Sequence, residues 1–223
     1  MLKKVSSLLR KSLDVINSLY CRSKNLRRKY PSVQTVEEFV IRNQLGNHLD
    51  SKSVDLGCGK EPRNPFGSNL VLGIDIRNDL NKRIIQSDLF NNKIPLDDSS
   101  YNYCTAFDFI EHVPRFLSQE GHTRFPFIEL VEEVHRILKP GGIFLHLTPA
   151  YPSKEVFQDP THINFITEDT FPNYFCRPNR MVVLEQRDVF PEAANYGFKG
   201  DFTLLDQAWI RNAWIICLMR AVK

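Results

Sequence analysis

A short apolar run that stops at a carboxylate recurs through the middle of this chain. Val54-Asp55 leads into Leu56-Gly57-Cys58-Gly59, and is followed by Val71-Leu72-Gly73-Ile74-Asp75, by Ile84-Ile85-Gln86-Ser87-Asp88 and by Phe107-Asp108. Lys139-Pro140-Gly141-Gly142-Ile143 comes after them. Strands that end at acids, with a two-glycine loop after the first, are how an α/β sheet grips a nucleoside at the carboxyl ends of its strands.

The pieces between these runs fit that frame. Strands are expected at Lys52–Leu56, Leu70–Ile76, Arg83–Ser87, Tyr101–Phe107 and Ile143–Thr148, and Arg180–Asp188 and Ala208–Val222 contain the last two. Helices are expected from Val36 to about His48, with Thr35 and Glu38 as a capping box, and at Val113–Ser118 and Pro126–Leu138. A shorter one runs over Thr167–Phe175 with Thr167 as N-cap. Lys139-Pro140-Gly141-Gly142 reads as a turn, and Ala150–Asn164 as a proline-bearing loop. Only Lys60–Asn69 joins the glycine loop to the second strand, and it carries Pro62, Pro65 and Gly67. Proline removes a helix donor and clashes with the preceding turn, so the crossover helix should be very short or replaced by loop.

With 223 residues the chain is long enough for one α/β domain with a full core. The net charge is only +3, which excludes a molecule that binds nucleic acid by bulk charge. The charge is unevenly placed. Residues 1–30 hold nine Lys/Arg against Asp14, a net +8, which leaves −5 for the rest. Leu2, Val5, Leu9, Leu13, Ile16 and Tyr20 recur there at helical spacing, so 1–31 reads as a basic amphipathic helix and link ahead of a domain over 32–223. That helix can dock as a lid, lie on an anionic membrane surface, or contact nucleic acid through Arg22–Lys29. No nucleic-acid module accompanies it, so nucleic acid is the disfavoured partner. The five cysteines are scattered and show no CxxC pair, which suits a reducing cytosol and argues against disulfides or zinc. No apolar stretch spans a bilayer, and the N-terminus does not read as a signal peptide.

Gly57 and Gly59 flank Cys58 in a loop that can bring backbone against a ligand; a tight turn is the plain alternative. Asp75 ends the second strand where a carboxylate can accept both ribose hydroxyls, or can sit as a solvated strand end. Asp88, with Leu89 beside it, can accept from an adenine amine, or cap a turn. Asp55 and Ile76 complete the candidate cofactor set on this side, and Asp108 lies after the fourth strand.

Asp55-Leu-Gly-Cys-Gly59, Gly73-Ile-Asp-Ile76, Ser87-Asp88-Leu89, Ile94-Pro-Leu-Asp-Asp-Ser-Ser-Tyr101, Phe107-Asp108 with Glu111-His112, and Leu138-Lys-Pro-Gly-Gly142, in that order, resemble the class I S-adenosylmethionine (SAM)-dependent methyltransferases. The likeness covers about residues 50–150, and is nearest the small-molecule group that includes quinone-biosynthesis and cell-surface-glycan enzymes. It implies a Rossmann-like α/β fold, with helices on both faces of a seven-stranded mostly parallel sheet of order 3-2-1-4-5-7-6, its last strand antiparallel. It also implies SAM lying over strands one, two and four, with Asp108 near its methionine end. One departure stands out: Glu61-Pro62 occupies the place of a third small or glycine residue. A dinucleotide oxidoreductase is the competing enzyme class, and Pro62 where its third glycine belongs argues against it.

A sulfonium methyl is already electrophilic, so the protein mainly aligns the acceptor and sometimes removes a proton. Candidates for that work are His112, which follows Asp108 and Glu111, and Asp159 and His162 in the loop after the fifth strand. Each histidine has a plain alternative, capping or bonding its own loop. A metal among Asp108, His112, Asp159 and His162 is chemically conceivable, yet the spacing matches no metal signature, so none is expected. Aromatics crowd the later half (Phe157, Phe165, Phe171, Tyr174, Phe175, Phe190, Tyr196, Phe198, Phe202) and serve either core or acceptor pocket. The expectation is a cytoplasmic enzyme that methylates a small-molecule or glycan-type acceptor, at oxygen. The alternative is a SAM-binding, non-catalytic member acting through a partner or membrane tether. Oligomeric state is open.

Overall fold

A computed structural model describes residues 28–45, 50–77, 79, 83–119, 121–177 and 191–223. The basic N-terminal helix expected before residue 21, most of its link, and the strand expected at Arg180–Asp188 lie outside the described residues.

Ten strands are described: β1 Ser32–Val33, β2 Lys52–Leu56, β3 Leu70–Asp75, β4 Ile84–Gln86, β5 Tyr101–Phe107, β6 Leu117–Gln119, β7 His122–Arg124, β8 Leu138–Pro149, β9 Phe202–Ile210 and β10 Trp214–Ala221. Eight form one sheet in the order β4-β3-β2-β5-β8-β10-β9-β1, and β6 and β7 make a separate hairpin. The pairs β3–β4, β2–β3, β2–β5 and β5–β8 are parallel, whereas β10 runs antiparallel to both β8 and β9. Counted from β2, this is the expected 3-2-1-4-5-7-6 order. Two differences stand against expectation. The two-residue β1 adds an eighth strand at the β9 edge, and the strand in the sixth place is Phe202–Ile210, of which only Ala208–Ile210 falls in a segment expected to hold a strand.

Among the described residues four α-helices accompany the sheet: α1 Val36–Arg42, α2 Pro126–Ile137, α3 Glu155–Gln158 and α4 Thr170–Tyr174. Thr35 Oγ1 accepts from Glu38 N at 3.1 Å, the expected cap bond, while Glu38 Oε2 reaches one residue past the cap and accepts from Gln34 N at 2.7 Å. Val113–Ser118 is not a helix. A 3₁₀ turn at Ile110–His112 stops there, Pro114 follows with no donor, and the chain turns into the β6–β7 hairpin. In α4 the cap position is Asp169 rather than Thr167, whose carbonyl instead accepts from Thr170 N. Lys139–Gly142 does turn, but as an extra loop inside β8: Tyr101 pairs with Leu138 and Tyr103 with Ile143.

Alternate residues along β8 and β10 face opposite sides of the sheet, as the two-residue repeat of a strand demands. On one face Phe144, Cys217 and Met219 meet α2 through Phe127, Leu130, Val131 and Val134. On the other, Ile143, Leu145, Ile216 and Leu218 meet Phe39 and Val40 of α1. No helix lies between β2 and β3. Phe66, from the proline-bearing connection, is fully buried there and stacks on Tyr103 with ring centroids 4.1 Å apart. One buried aromatic thus covers sheet that a crossover helix would otherwise cover. No helix among the described residues is long and apolar enough to cross a membrane.

His146 is the odd residue of this core. It is fully buried on β8, its ring 3.7 Å from that of Phe171, and neither ring nitrogen has a hydrogen-bond partner among the described residues. Burial pushes its pKa down from 6.5 to about 3. The depressed group keeps the ring neutral in the fold while the unfolded chain takes up a proton. Its share of stability is therefore present above pH 6.5 and is lost as pH falls toward about 3. His146→Leu should remove this acid sensitivity, about 1.4 kcal/mol per pH unit below the unfolded pKa. Urea midpoints of parent and variant that fall in parallel on acidification would contradict it.

Candidate active site

The carboxyl ends of β2, β3 and β5 converge on the Gly57–Gly59 turn. Gly57 has φ +63° and Gly59 φ +68°, backbone that side chains resist. A Cβ at Gly57 would lie 2.3 Å from Phe109 Cδ2, so the ring after β5 closes directly over this turn. Gly57 N donates to Ile74 O at 2.8 Å, and Gly59 N donates to Asp75 Oδ2 at 2.9 Å. The third close approach, which sequence seeks at Glu61-Pro62, is supplied from β3. A Cβ on Gly73 would meet Cys58 Sγ at 2.5 Å and Pro62 Cγ at 2.7 Å.

Asp75 is 6 % exposed and holds the turn from beneath. Arg77 joins it, its Nε donating to Oδ1 at 2.7 Å and its Nη2 to Oδ2 at 3.2 Å. Burial raises this carboxyl, but the hydrogen bonds from Arg77 and Gly59 outweigh burial and hold it below the usual range. Ile76, next along, is 65 % exposed, an apolar side chain facing open space beside the acid. Asp88 accepts from Phe90 N at 3.0 Å and from Asn91 Nδ2 at 2.8 Å, so its side chain here closes a turn. Leu89 is buried in the core beneath. Cys58 is half-buried, and burial together with the Asp55 and Asp75 charges pushes its thiol up to about 12, which leaves it unreactive.

Asp55 faces inward rather than toward a ligand. It is 1 % exposed, accepting from Thr105 Oγ1 at 2.6 Å and Arg63 N at 2.9 Å. It ties the glycine loop to β5.

Beyond the turn a second group gathers around a cavity of about 680 Å³ lined by Asp108, Glu111, His112, Asp159, His162 and Trp214. Asp108, at φ +50°, accepts from Trp214 Nε1 at 2.9 Å and lies 3.8 Å from Arg63 Nη2. Glu111 is 2 % exposed; burial pushes its carboxyl up to about 7 although Thr148 Oγ1 donates to it at 2.9 Å. His162 Nε2 lies 4.0 Å from both Glu111 Oε1 and Asp159 Oδ2. The His112 and His162 rings meet edge to face at 4.9 Å. Asp159 accepts from Thr161 Oγ1 at 2.7 Å and Thr161 N at 2.8 Å, bonds that hold its carboxyl below the usual range. The loop carrying His162 is pinned to the 3₁₀ turn, because Ile163 N and Asn164 N both donate to Glu111 O at 2.9 Å. Beside that loop, Phe116, Phe125, Phe165, Tyr174 and Tyr196 wall a further cavity of about 490 Å³. Phe171, Phe175, Phe198 and Phe202 are core, and Phe190 lies outside the described residues.

The candidates thus fall into two neighbouring groups on one rim of the sheet. The partners that sequence reasoning missed are Phe109, Arg77, Thr148 and Trp214, none of which sits in a readable motif. Glu111 was visible only as the neighbour of His112.

A family profile described as a methyltransferase domain matches residues 26–179. The chain is 24 % identical over 160 residues to a demethylmenaquinone methyltransferase from Staphylococcus epidermidis, covering 60 % of this chain and 61 % of that protein. It therefore spans about three fifths of the length of the curated relatives it matches. In fold it is similar to a putative methyltransferase from Bacillus halodurans, with TM-score 0.51 and 13 % identity over 84 % of this chain and 99 % of that one. A SAM-dependent methyltransferase from Aquifex aeolicus gives TM-score 0.50 and 14 % identity over 84 % of this chain and 90 % of that one.

The inward role of Asp55 has a measurable consequence. Burial raises its carboxyl from 3.8 to about 6, against the pull of the Arg63 and Thr105 hydrogen bonds. A raised folded pKa gives stability that is full below 3.8 and lost as pH rises through about 6. Asp55→Asn can accept from Arg63 N and donate to Thr105. Chemical denaturation should show it gaining on the parent as pH rises across that window, by up to about 3 kcal/mol. A constant difference across the window would refute the burial assignment.

Proposed function

This chain belongs to the methyltransferase-domain family, as a class I SAM-dependent enzyme, and on that premise we propose that it methylates an oxygen of a small-molecule or glycan-type acceptor. The observation that carries the reading is the adjacency of the two groups on one rim. An acid-backed glycine turn lies beside a carboxyl–imidazole cluster that opens on a cavity of about 680 Å³.

SAM supplies an activated methyl group that needs no further activation. The residues fit it. Asp75 sits against the glycine backbone where ribose hydroxyls can take the place of Arg77, Ile76 offers an apolar face, and Asp108 borders the cavity where the methionine end would enter. Asp88 and Leu89 supply the adenine side once the Asn91 contact yields. Across the cavity, Glu111, His112 and His162 hold the acceptor oxygen in line with the methyl carbon. Bound SAM would supply the methyl group to that oxygen, and the half-exposed Asp159 carboxylate passes the hydroxyl proton to solvent. The aromatic-walled cavity beside Phe165 suits a ring or the apolar face of a sugar. The acceptor for which the relatives are named, demethylmenaquinone, supports the small-molecule class. Four described cysteines are free, in keeping with a reducing, cytoplasmic setting.

Two substitutions separate the two groups. Asp75→Ala should weaken SAM affinity by about tenfold or more, the loss of a charge-assisted hydrogen bond. His162→Ala should leave SAM affinity near the parent value and lower turnover by about a hundredfold. Calorimetric SAM titration and product mass spectrometry read the two effects. Full SAM affinity in Asp75→Ala would remove the ribose assignment, and undiminished turnover in His162→Ala would remove the cluster from the chemistry.

A further inference from the structure

The cluster around His162 has a feature that aligning an acceptor does not by itself explain. One ligating atom each from Glu111, His112 and His162 lies within 4.8 Å of the other two. The hydrogen bonds around them settle which ring nitrogens carry lone pairs. His162 Nδ1 lies 3.2 Å from Val156 O, and a carbonyl can only accept, so Nδ1 carries the hydrogen and Nε2 the lone pair. That lone pair faces two carboxylate oxygens, Glu111 Oε1 and Asp159 Oδ2, each at 4.0 Å. Thr161 Oγ1 gives its own hydrogen to Asp159 Oδ1 at 2.7 Å and therefore accepts from His112 Nδ1 at 3.0 Å. His112 Nε2 is then the second free lone pair. Acceptors turned toward one another repel unless a proton or a metal ion sits between them.

We propose that Glu111, His112 and His162 form a site for a divalent first-row metal ion such as Zn²⁺ or Mn²⁺. Two imidazoles and a carboxylate are the donor set these ions take. Ligands about 2.1 Å from a common ion lie about 3.4 Å apart in a tetrahedral site, so the 4.0 Å between His162 and Glu111, in a set that spans up to 4.8 Å, contracts by side-chain rotation as the ion binds. The groups that would orient these ligands are in place. Val156 O orients His162, the Thr161–Asp159 pair orients His112, and Thr148 orients Glu111. The loop cannot drift, because Ile163 N and Asn164 N are bonded to Glu111 O and Asn164 Nδ2 to Ile110 O at 3.1 Å. The remaining coordination positions open into the cavity shared with Asp108 and Asp159. Resting on the methylation reading, the ion's task is to bind the acceptor hydroxyl and acidify it, its proton leaving to solvent, before the oxygen takes the methyl group. The site itself stands without that reading.

The test uses the full chain, stripped with a chelator and titrated with Zn²⁺ and separately with Mn²⁺, without SAM or acceptor. One ion should bind per chain and raise the melting temperature. Cobalt substitution should give a ligand-field absorption band. Glu111→Gln, His112→Ala and His162→Ala should each weaken binding by more than the about 10–100-fold that loss of an outer-shell partner costs. Glu111→Gln retains an oxygen for Thr148, so a folded variant is available if a histidine variant fails to fold. No stoichiometric ion, or equal affinity in the parent and all folded variants, overturns the site. A bound ion with no methylated product counts against the methylation reading and leaves the site standing. Full methylation by chelated, metal-free protein overturns the ion's role and leaves the methylation reading standing.

Discussion

The tie between the Gly57–Gly59 turn and the end of β3 is the contact on which the rest of the molecule depends. Gly57 N reaches Ile74 O and Gly59 N reaches the Asp75 carboxylate, so the turn hangs from the neighbouring strand. That geometry needs left-handed backbone at two positions and leaves no room for a Cβ at Gly57 or Gly73. Asp55 completes the tie from below by joining the loop at Arg63 to β5 at Thr105. A buried carboxyl with two donors is costlier to keep charged than an exposed one, and the chain keeps it because it fixes both strand ends at once.

The same economy explains the connection from β2 to β3. Pro62 and Pro65 forbid a helix of ordinary length, and the sheet face that a helix would cover is covered by Phe66 on Tyr103. Pro62 then packs where Gly73 has no side chain. The missing third glycine of the loop is therefore matched by a glycine on the adjacent strand, and the backbones approach as closely as before. On the far side of the rim, the turn at Ile110–His112 and the loop through His162 are joined backbone to backbone, which makes two distant stretches of sequence one rigid unit.

Local rules were reliable where one interaction dominated. Strands β2 to β5 announce themselves because buried parallel strands are apolar runs with acids at their ends, and α2 because its apolar residues recur at helical spacing. Thr35 and Glu38 marked the start of α1 for the same reason. The readings that failed lay where local preference is weak. Val113–Ser118 has some helical pattern, but Pro114 and the pairing of Leu117 with Arg124 prevail. Strand β9 begins at Phe202, ahead of the Ala208 start expected from sequence, because pairing with β10 carries it there. Asp55 and Asp75 look alike in sequence, each an acid near a glycine. The sheet turns one into the core and sets the other against the turn.

What the residue order determined by itself was the fold class, the two-glycine turn and the row of acids that ends the strands. Those depend on contacts between near neighbours, on backbone freedom at glycine, and on a two-residue alternation that any buried strand must satisfy. What only the tertiary structure decided was which of those acids faces inward, and that Glu111 and His112 meet His162. The chain between them spans the β6–β7 hairpin, two helices and β8, and no local spacing rule encodes a meeting across that distance. It follows instead from two backbone hydrogen bonds to Glu111 O, which fix where the loop lands and so place an imidazole lone pair opposite a buried carboxylate.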